Sequence, residues 1–225
     1  MITSTKVIVL SYIKYRETSI IVRCYSEKFG YQSLVVNGIR SKKAKNSIGL
    51  FQPFTLLDCT IYYKDDKDIQ RLSDARIHQP TPSLQLDFSK STIVIFLTEM
   101  LSKLLARDSD QNNELFDYIW HSAIHLDSIE SGHEAFHIHF LIHLSHYFGF
   151  GIQSAEDFLH AHSANDPLSL YAAQFTEFQS YNPSSLQTNG EGRTKITEQL
   201  IQYYKHHFEH LGEIKSIKIL QQVFR

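Results

Sequence analysis

Apolar residues follow two different rhythms along this chain, and the change falls near residue 80. Before it, short runs rich in β-branched and aromatic side chains recur between turn residues: "KVIVLSYI", "SIIVRCY", "YQSLVVNG", "FTLLDCTIYYK" and "IQRLSDARIH". In the second run Ile20, Val22 and Cys24 share one face of a strand and Arg23 points to the other. "SEKFG" and Asn37-Gly38 supply turns. Five strands in about 80 residues, joined by mostly short connections, predict a small barrel, and the OB-fold suits that strand count.

"QPTPSLQLD" ends the strand regime, since two closely spaced prolines stop a strand and begin a linker. Beyond it the period becomes helical. Ile93, Phe96, Leu97, Met100, Leu101, Leu104 and Leu105 form one stripe at i, i+3, i+4 and i+7. A second helix is expected over 112–127, with Leu115, Ile119, Ala123 and Leu126 inward. A third is expected over 133–148 and a fourth over 193–211. Residues 151–192 are broken up by "NDP", "NPSS" and "NGEG" and read as irregular. The expected organisation is therefore a β then α chain: an OB-fold nucleic-acid-binding domain over 1–80 and an all-α partner-binding domain over 81–225.

Charge sharpens this division. Residues 1–80 hold 13 Lys+Arg against 7 Asp+Glu, a balance of +6, and residues 81–225 hold 9 against 17, a balance of -8. Opposite signs on the two parts point to different partners, with the basic part facing a polyanion. Within it no acid occurs from Lys28 to Leu57, and Arg40, Lys42, Lys43 and Lys45 crowd into "GIRSKKAKNSIGLFQPF". A solvated loop would tolerate such a run, whereas a loop that grips phosphates would need it. Tyr12, Tyr15, Tyr25, Tyr31 and Phe51 interleave with Lys14, Arg16, Arg23 and Lys28. Most such aromatics belong to a barrel's core, which leaves one or two to stack on bases.

Other chemistry finds little support. The two cysteines, Cys24 and Cys59, lie in strand-like runs outside any ligand spacing, which suits a reducing cytoplasm and argues against a thiolate zinc site. No signal-peptide pattern opens the chain, and no apolar run approaches the roughly 20 residues of a membrane helix. His139, His143 and His146 share a helical stripe within "HEAFHIHFLIHLSH", which also holds His133 and His137. The i, i+4 spacing can bind zinc, but HExxH is absent, and a polar flank beside Phe136, Phe140, Leu144 and Tyr147 is the simpler reading. GxSxG, GxxxxGK[ST] and GxGxxG are absent too, so no enzyme and no cofactor is expected.

The order of motifs resembles the bacterial RecO family of DNA repair proteins. The carriers are "KYRETSIIVRCYSEKFG", the basic "GIRSKKAKNSIGLFQPF", the helical "FLTEMLSKLL", "NELFDYIWHSAIHLD" and "FLIHLSHYFGF", and the ending "GEIKSIKILQQVF". They cover nearly the whole chain except about 151–190. The resemblance implies an N-terminal OB-fold and a C-terminal helical domain. It also implies a non-enzymatic recombination mediator that binds single- and double-stranded DNA and anneals complementary strands. The implied partners are RecR and single-strand-binding protein, and the implied service is helping to load RecA. It places DNA contacts on Arg16, Arg40, Lys42, Lys43 and Lys45. Many relatives carry a four-cysteine zinc module after the Gly-Phe pair; "GFGIQSAEDFLHAHSANDP" holds no cysteine, and His160 and His162 alone do not replace it, so a metal-free form is expected. The acidic, apolar tail of single-strand-binding protein would need an apolar pocket edged by cations, drawn from Lys90, Lys103, Arg107, Lys205, Lys215 and Lys218. Two other classes are weighed beside this one: an OB-fold RNA binder with a helical docking module, and a His-ligated metalloenzyme.

Overall fold

The computed structural model describes residues 1–41, 47–106, 111–158 and 189–224. Five strands, β1 (Ile2–Tyr15), β2 (Ser19–Ser26), β3 (Gly30–Val36), β4 (Leu56–Tyr62) and β5 (Ile69–Gln79), close into a barrel in the order β1-β2-β3-β5-β4. The pairings are antiparallel except for the short parallel contact of β3 with β5. This is the OB-type arrangement expected from the strand count.

Closure depends on β1, whose 14 residues serve two partners. Its first half pairs with β4 from Ile2 to Ile8, and its second pairs with β2 through Tyr15. Just beyond their overlap at Val7 and Ile8, the register slips between Val9 and Ser11, and Val9 exchanges backbone bonds with Phe54 (2.8 Å) and Thr55 (3.1 Å). A bulge at this point bends the strand, which lets one segment belong to both sides of a barrel. Val7, Val9, Ile20, Val22, Cys24, Leu34, Leu57, Cys59 and Ile61 fill the interior. The predicted facing of Ile20, Val22 and Cys24 holds. Both cysteines are unpaired thiols, and burial pushes Cys59 up to about 12.

The described helices are α1 (Ser83–Leu86), α2 (Phe88–Leu105), α3 (Asn113–Ser128), α4 (Phe136–Tyr147), α5 (Gly190–His207) and α6 (Ile217–Val223). The apolar stripe of α2 is buried throughout, as are Leu115, Ile119, Ala123 and Leu126 of α3. Asn112 caps α3 by accepting from the Leu115 amide (2.9 Å), and Asn189 caps α5 by accepting from that of Gly192 (2.9 Å). The chain packs as two compact units, Met1–Asp87 with Leu97–Asp127, and Phe88–Phe96 with Ser128 onward. In the first, Tyr25 on the outside of the barrel packs against Phe116 of α3 (6.2 Å between centroids), and Lys6 lies over the Trp120 ring (5.6 Å).

In the second unit α4 departs from the polar-flank expectation. His133, His137 and His139 are buried, and only His146 of the stripe is exposed. The helix is enclosed on most sides, so His137 and His139 act as core residues instead of a solvated edge. His137 bonds through Nε2 to Thr197 Oγ1 on α5 (2.9 Å), and Tyr204 donates its hydroxyl to the Leu141 carbonyl (2.6 Å). Among the described residues no group of three His, Cys, Asp or Glu is placed to hold a metal ion.

Candidate nucleic-acid interface

The β1–β2 turn and the exit from β3 are tied together at one end of β1. Arg16 forms the tip of the first turn with φ 50, a left-handed conformation unusual outside glycine. Gly38 (φ 68) reverses the chain after β3, helped by the Ser41 amide (3.1 Å) and hydroxyl (2.8 Å), both donating to the Gly38 carbonyl. Arg40 then joins the two turns. Its amide donates to the Thr18 carbonyl (2.9 Å) and its guanidinium to the Arg16 carbonyl (3.4 Å), while Ser19 bonds Asn37 (3.2 Å).

The result is a rim of positive charge built by backbone geometry. Arg16 and Arg40 are exposed, and among the described residues neither is ion-paired. Arg16 also lies over the Tyr15 ring, with its guanidinium carbon 5.1 Å from the centroid. Lys14 is exposed on the same strand face as Tyr12, which packs on the barrel core, so it belongs to this rim too. One acid, exposed Glu17, lies in the turn. Lys42, Lys43 and Lys45 follow directly in the chain but lie outside the described residues.

The remaining candidates sit elsewhere. Arg23 is exposed on the outer face of β2, between Ser11 and Ser33 of its neighbours. Burial pushes the Tyr31 hydroxyl up, and the Arg23 charge partly offsets that shift. Lys28 lies at the opposite end of β1, donating to the Ser4 carbonyl (2.7 Å). It lines a cleft of about 400 Å³ in which cations alternate with acids, including the pairs Lys6–Glu27 (3.8 Å) and Arg76–Asp58 (3.2 Å). The hydrogen bond from His78 (2.9 Å) is the first cause holding the Asp58 carboxyl below its ordinary range. Such a balanced surface offers phosphates little. Of the five aromatics, Tyr25 and Phe51 are buried and Tyr12 packs on the core, leaving Tyr15 and Tyr31 partly exposed.

The candidate cations beyond residue 80 separate as well. Lys90 is buried and Lys103 is paired with Glu99 (3.2 Å). Arg107 lies outside the described residues, and Lys215 is exposed. Lys205 and Lys218 line a groove of about 460 Å³ between α5 and α6 with Ile201, Ile214 and Ile217; Glu198 and Glu213 line it too, and Glu213 pairs with Lys218 (3.6 Å). The α6 wall of this groove had no helical expectation in the sequence. Its seven residues are too few for a visible period, although the apolar residues of "IKIL" are a weak signal.

Comparison with known proteins agrees with this architecture. The family model described as Recombination protein O N terminal matches residues 1–81, and that of Recombination protein O C terminal matches 85–224. Named relatives are similar along their full length. The DNA repair protein RecO of Azobacteroides pseudotrichonymphae is 30% identical over 241 residues, covering 100% of both chains. That of Bacteroides fragilis is 31% identical over 247 residues, again covering 100% of both. The Flavobacterium psychrophilum protein is 29% identical with 98% of each covered. With a closed five-stranded barrel, a helical region after it, and both family halves matched in order, this chain belongs to the RecO family of DNA repair and recombination proteins.

Proposed function

We propose that this chain is a recombination mediator without catalytic chemistry of its own. It binds single- and double-stranded DNA, anneals complementary strands, and helps load RecA onto strands coated by single-strand-binding protein, acting with RecR in the cytoplasm. The observation that carries the reading is the tie of Arg40 to the β1–β2 turn, through the carbonyls of Thr18 and Arg16, at the head of a lysine-rich stretch. Cations fixed at one rim neutralise several phosphates at once and release their counterions, which gives affinity without sequence preference. Annealing needs the same property, because two polyanions approach each other only when their charge is screened.

The α5–α6 groove is the docking place in this reading for the tail of single-strand-binding protein. Its isoleucines suit the apolar end of that tail, and Lys205, with Lys218 once it exchanges Glu213 for the tail, would meet the acids. Strand annealing by the purified protein, followed with a dye that reports duplex DNA, tests the central function. Acceleration over the uncatalysed rate for DNA strands is expected. Binding confined to RNA, with no acceleration of DNA annealing, would place the protein among OB-fold RNA binders.

A further inference from the structure

A second groove, on the barrel side of the first unit, has the chemistry of a nucleobase site. Its volume is about 330 Å³, at the small end for ligand pockets, which fits one flat group better than a peptide. Ile77, Pro80 and Leu86 line it, together with Gln52, Gln79 and Gln85. Among the described residues that line it, none is charged. Leu86 is 85% exposed and Ile77 46%, a large apolar presence for a water-facing surface. The mixture is that of apolar walls with a few donor–acceptor groups, as a base requires: its faces seek apolar contact and its edge seeks hydrogen bonds. An acidic peptide would find no cation on these walls, in contrast to the α5–α6 groove.

The chain itself links this groove to the basic stretch. Ser47, the first described residue after that stretch, caps a short 3-10 turn over Ile48–Phe51 by accepting from the Gly49 amide (3.2 Å). Within the turn Ile48, Leu50 and Phe51 pack on the barrel core, while Gly49, with Gln52 just beyond the turn, lines the groove. The segment that leaves the cations is thus anchored on one side and forms the groove's wall on the other. Gln85 donates its amide to the Pro53 carbonyl (3.4 Å), which fixes that side chain and leaves its oxygen as an acceptor.

We infer that this groove receives an unstacked base of a single DNA strand whose phosphates are held by the Arg16–Arg40 rim. The inference rests on the DNA-binding reading above and adds a base-reading subsite to it. Sequence-tolerant binding follows naturally, because apolar walls accept any base face and glutamine amides can offer either a donor or an acceptor.

The test compares a thymidine oligonucleotide with an abasic sugar-phosphate oligomer of equal length, both bound to the full-length protein and followed by fluorescence anisotropy. The wild type should bind the base-bearing strand about ten-fold more tightly. The double variant Ile77→Ser, Leu86→Ser should lose most of that preference while keeping its affinity for the abasic oligomer and its salt slope. Both residues are substantially exposed, so the variant should fold, which a thermal melt verifies. If it does not, Gln52→Ala with Gln79→Ala replaces it and should shift the preference among thymidine, adenosine and cytidine strands. Equal wild-type affinity for the two oligomers would overturn the groove while leaving the phosphate rim intact. A double variant that retains the full preference would overturn it as well, and point to an apolar side chain of a protein partner as the occupant. Failure of the wild type to bind either oligomer would remove the DNA-binding reading and this inference with it.

Discussion

Arg16 holds a backbone position that glycine would occupy at lower cost. At φ 50 a residue with a Cβ is strained, and a turn of this kind gains up to about 1 kcal/mol when the side chain is removed. Arg16→Gly should therefore leave stability unchanged or raise it by up to about that amount in urea titration, while DNA affinity falls several-fold. Lower stability with unchanged affinity would mean that Arg16 serves the fold and not the ligand. A second residue, His137, ties stability to pH. Burial is the first cause and the Arg193 charge the second of the fall in its pKa to about 3. In the unfolded chain it takes a proton near 6.5, so between these values the unfolded state binds more protons and stability drops as pH falls. Moving from pH 7 to pH 5 should cost about 2 kcal/mol through this group alone. His137→Gln should flatten the pH dependence by that amount, and an unaltered slope would assign the acid sensitivity elsewhere. The rim cations were visible in the sequence as a composition bias. Their joining through Arg40 and Thr18 was not, because backbone bonds between two turns leave no mark on residue type.

Elements with a strong period were legible, and those without one were not. The stripe of α2 is buried as its period predicts, and Ile20, Val22 and Cys24 of β2 enter the barrel interior as their alternation predicts. Helix α4 is enclosed on most sides, and enclosure erases periodicity: His137 and His139 occupy core positions that a polar flank would assign to solvent. The barrel could be expected from strand count, but the slip at Val9/Ser11 that lets β1 serve two partners could not, since a bulge needs no special residue there. The α5–α6 groove belongs to this scale, being made by two helices and by neither alone. Lys205→Glu with Lys218→Glu should weaken binding of a labelled single-strand-binding-protein tail peptide at least ten-fold at low salt, measured on the full chain. DNA affinity should hardly change, since the rim cations are untouched. Tail binding unaffected by the charge reversal would move the docking place away from this groove.

Over the whole molecule, charge divides as the sequence divides. The +6 of residues 1–80 stands against the -8 of residues 81–225, and in the function proposed above the basic part meets the polyanion and the acidic part the protein partners. The basic part concentrates its effect in one acid-free segment, and its contribution can be counted. Every phosphate that is no longer neutralised lowers the log–log dependence of affinity on salt by roughly 0.7 for single strands and 0.9 for duplex. The measurement that bears most directly on this is DNA affinity across a salt series for the wild type and for Arg40→Ala, Lys42→Ala, Lys43→Ala, Lys45→Ala combined, with annealing rates alongside. A rim that grips phosphates predicts weaker binding for every sequence alike, a salt slope flatter by about 0.7 for each phosphate set free, and slower annealing in a protein whose melting is unchanged. A folded quadruple variant with wild-type affinity and the original slope would contradict it, and show these cations to be merely solvated.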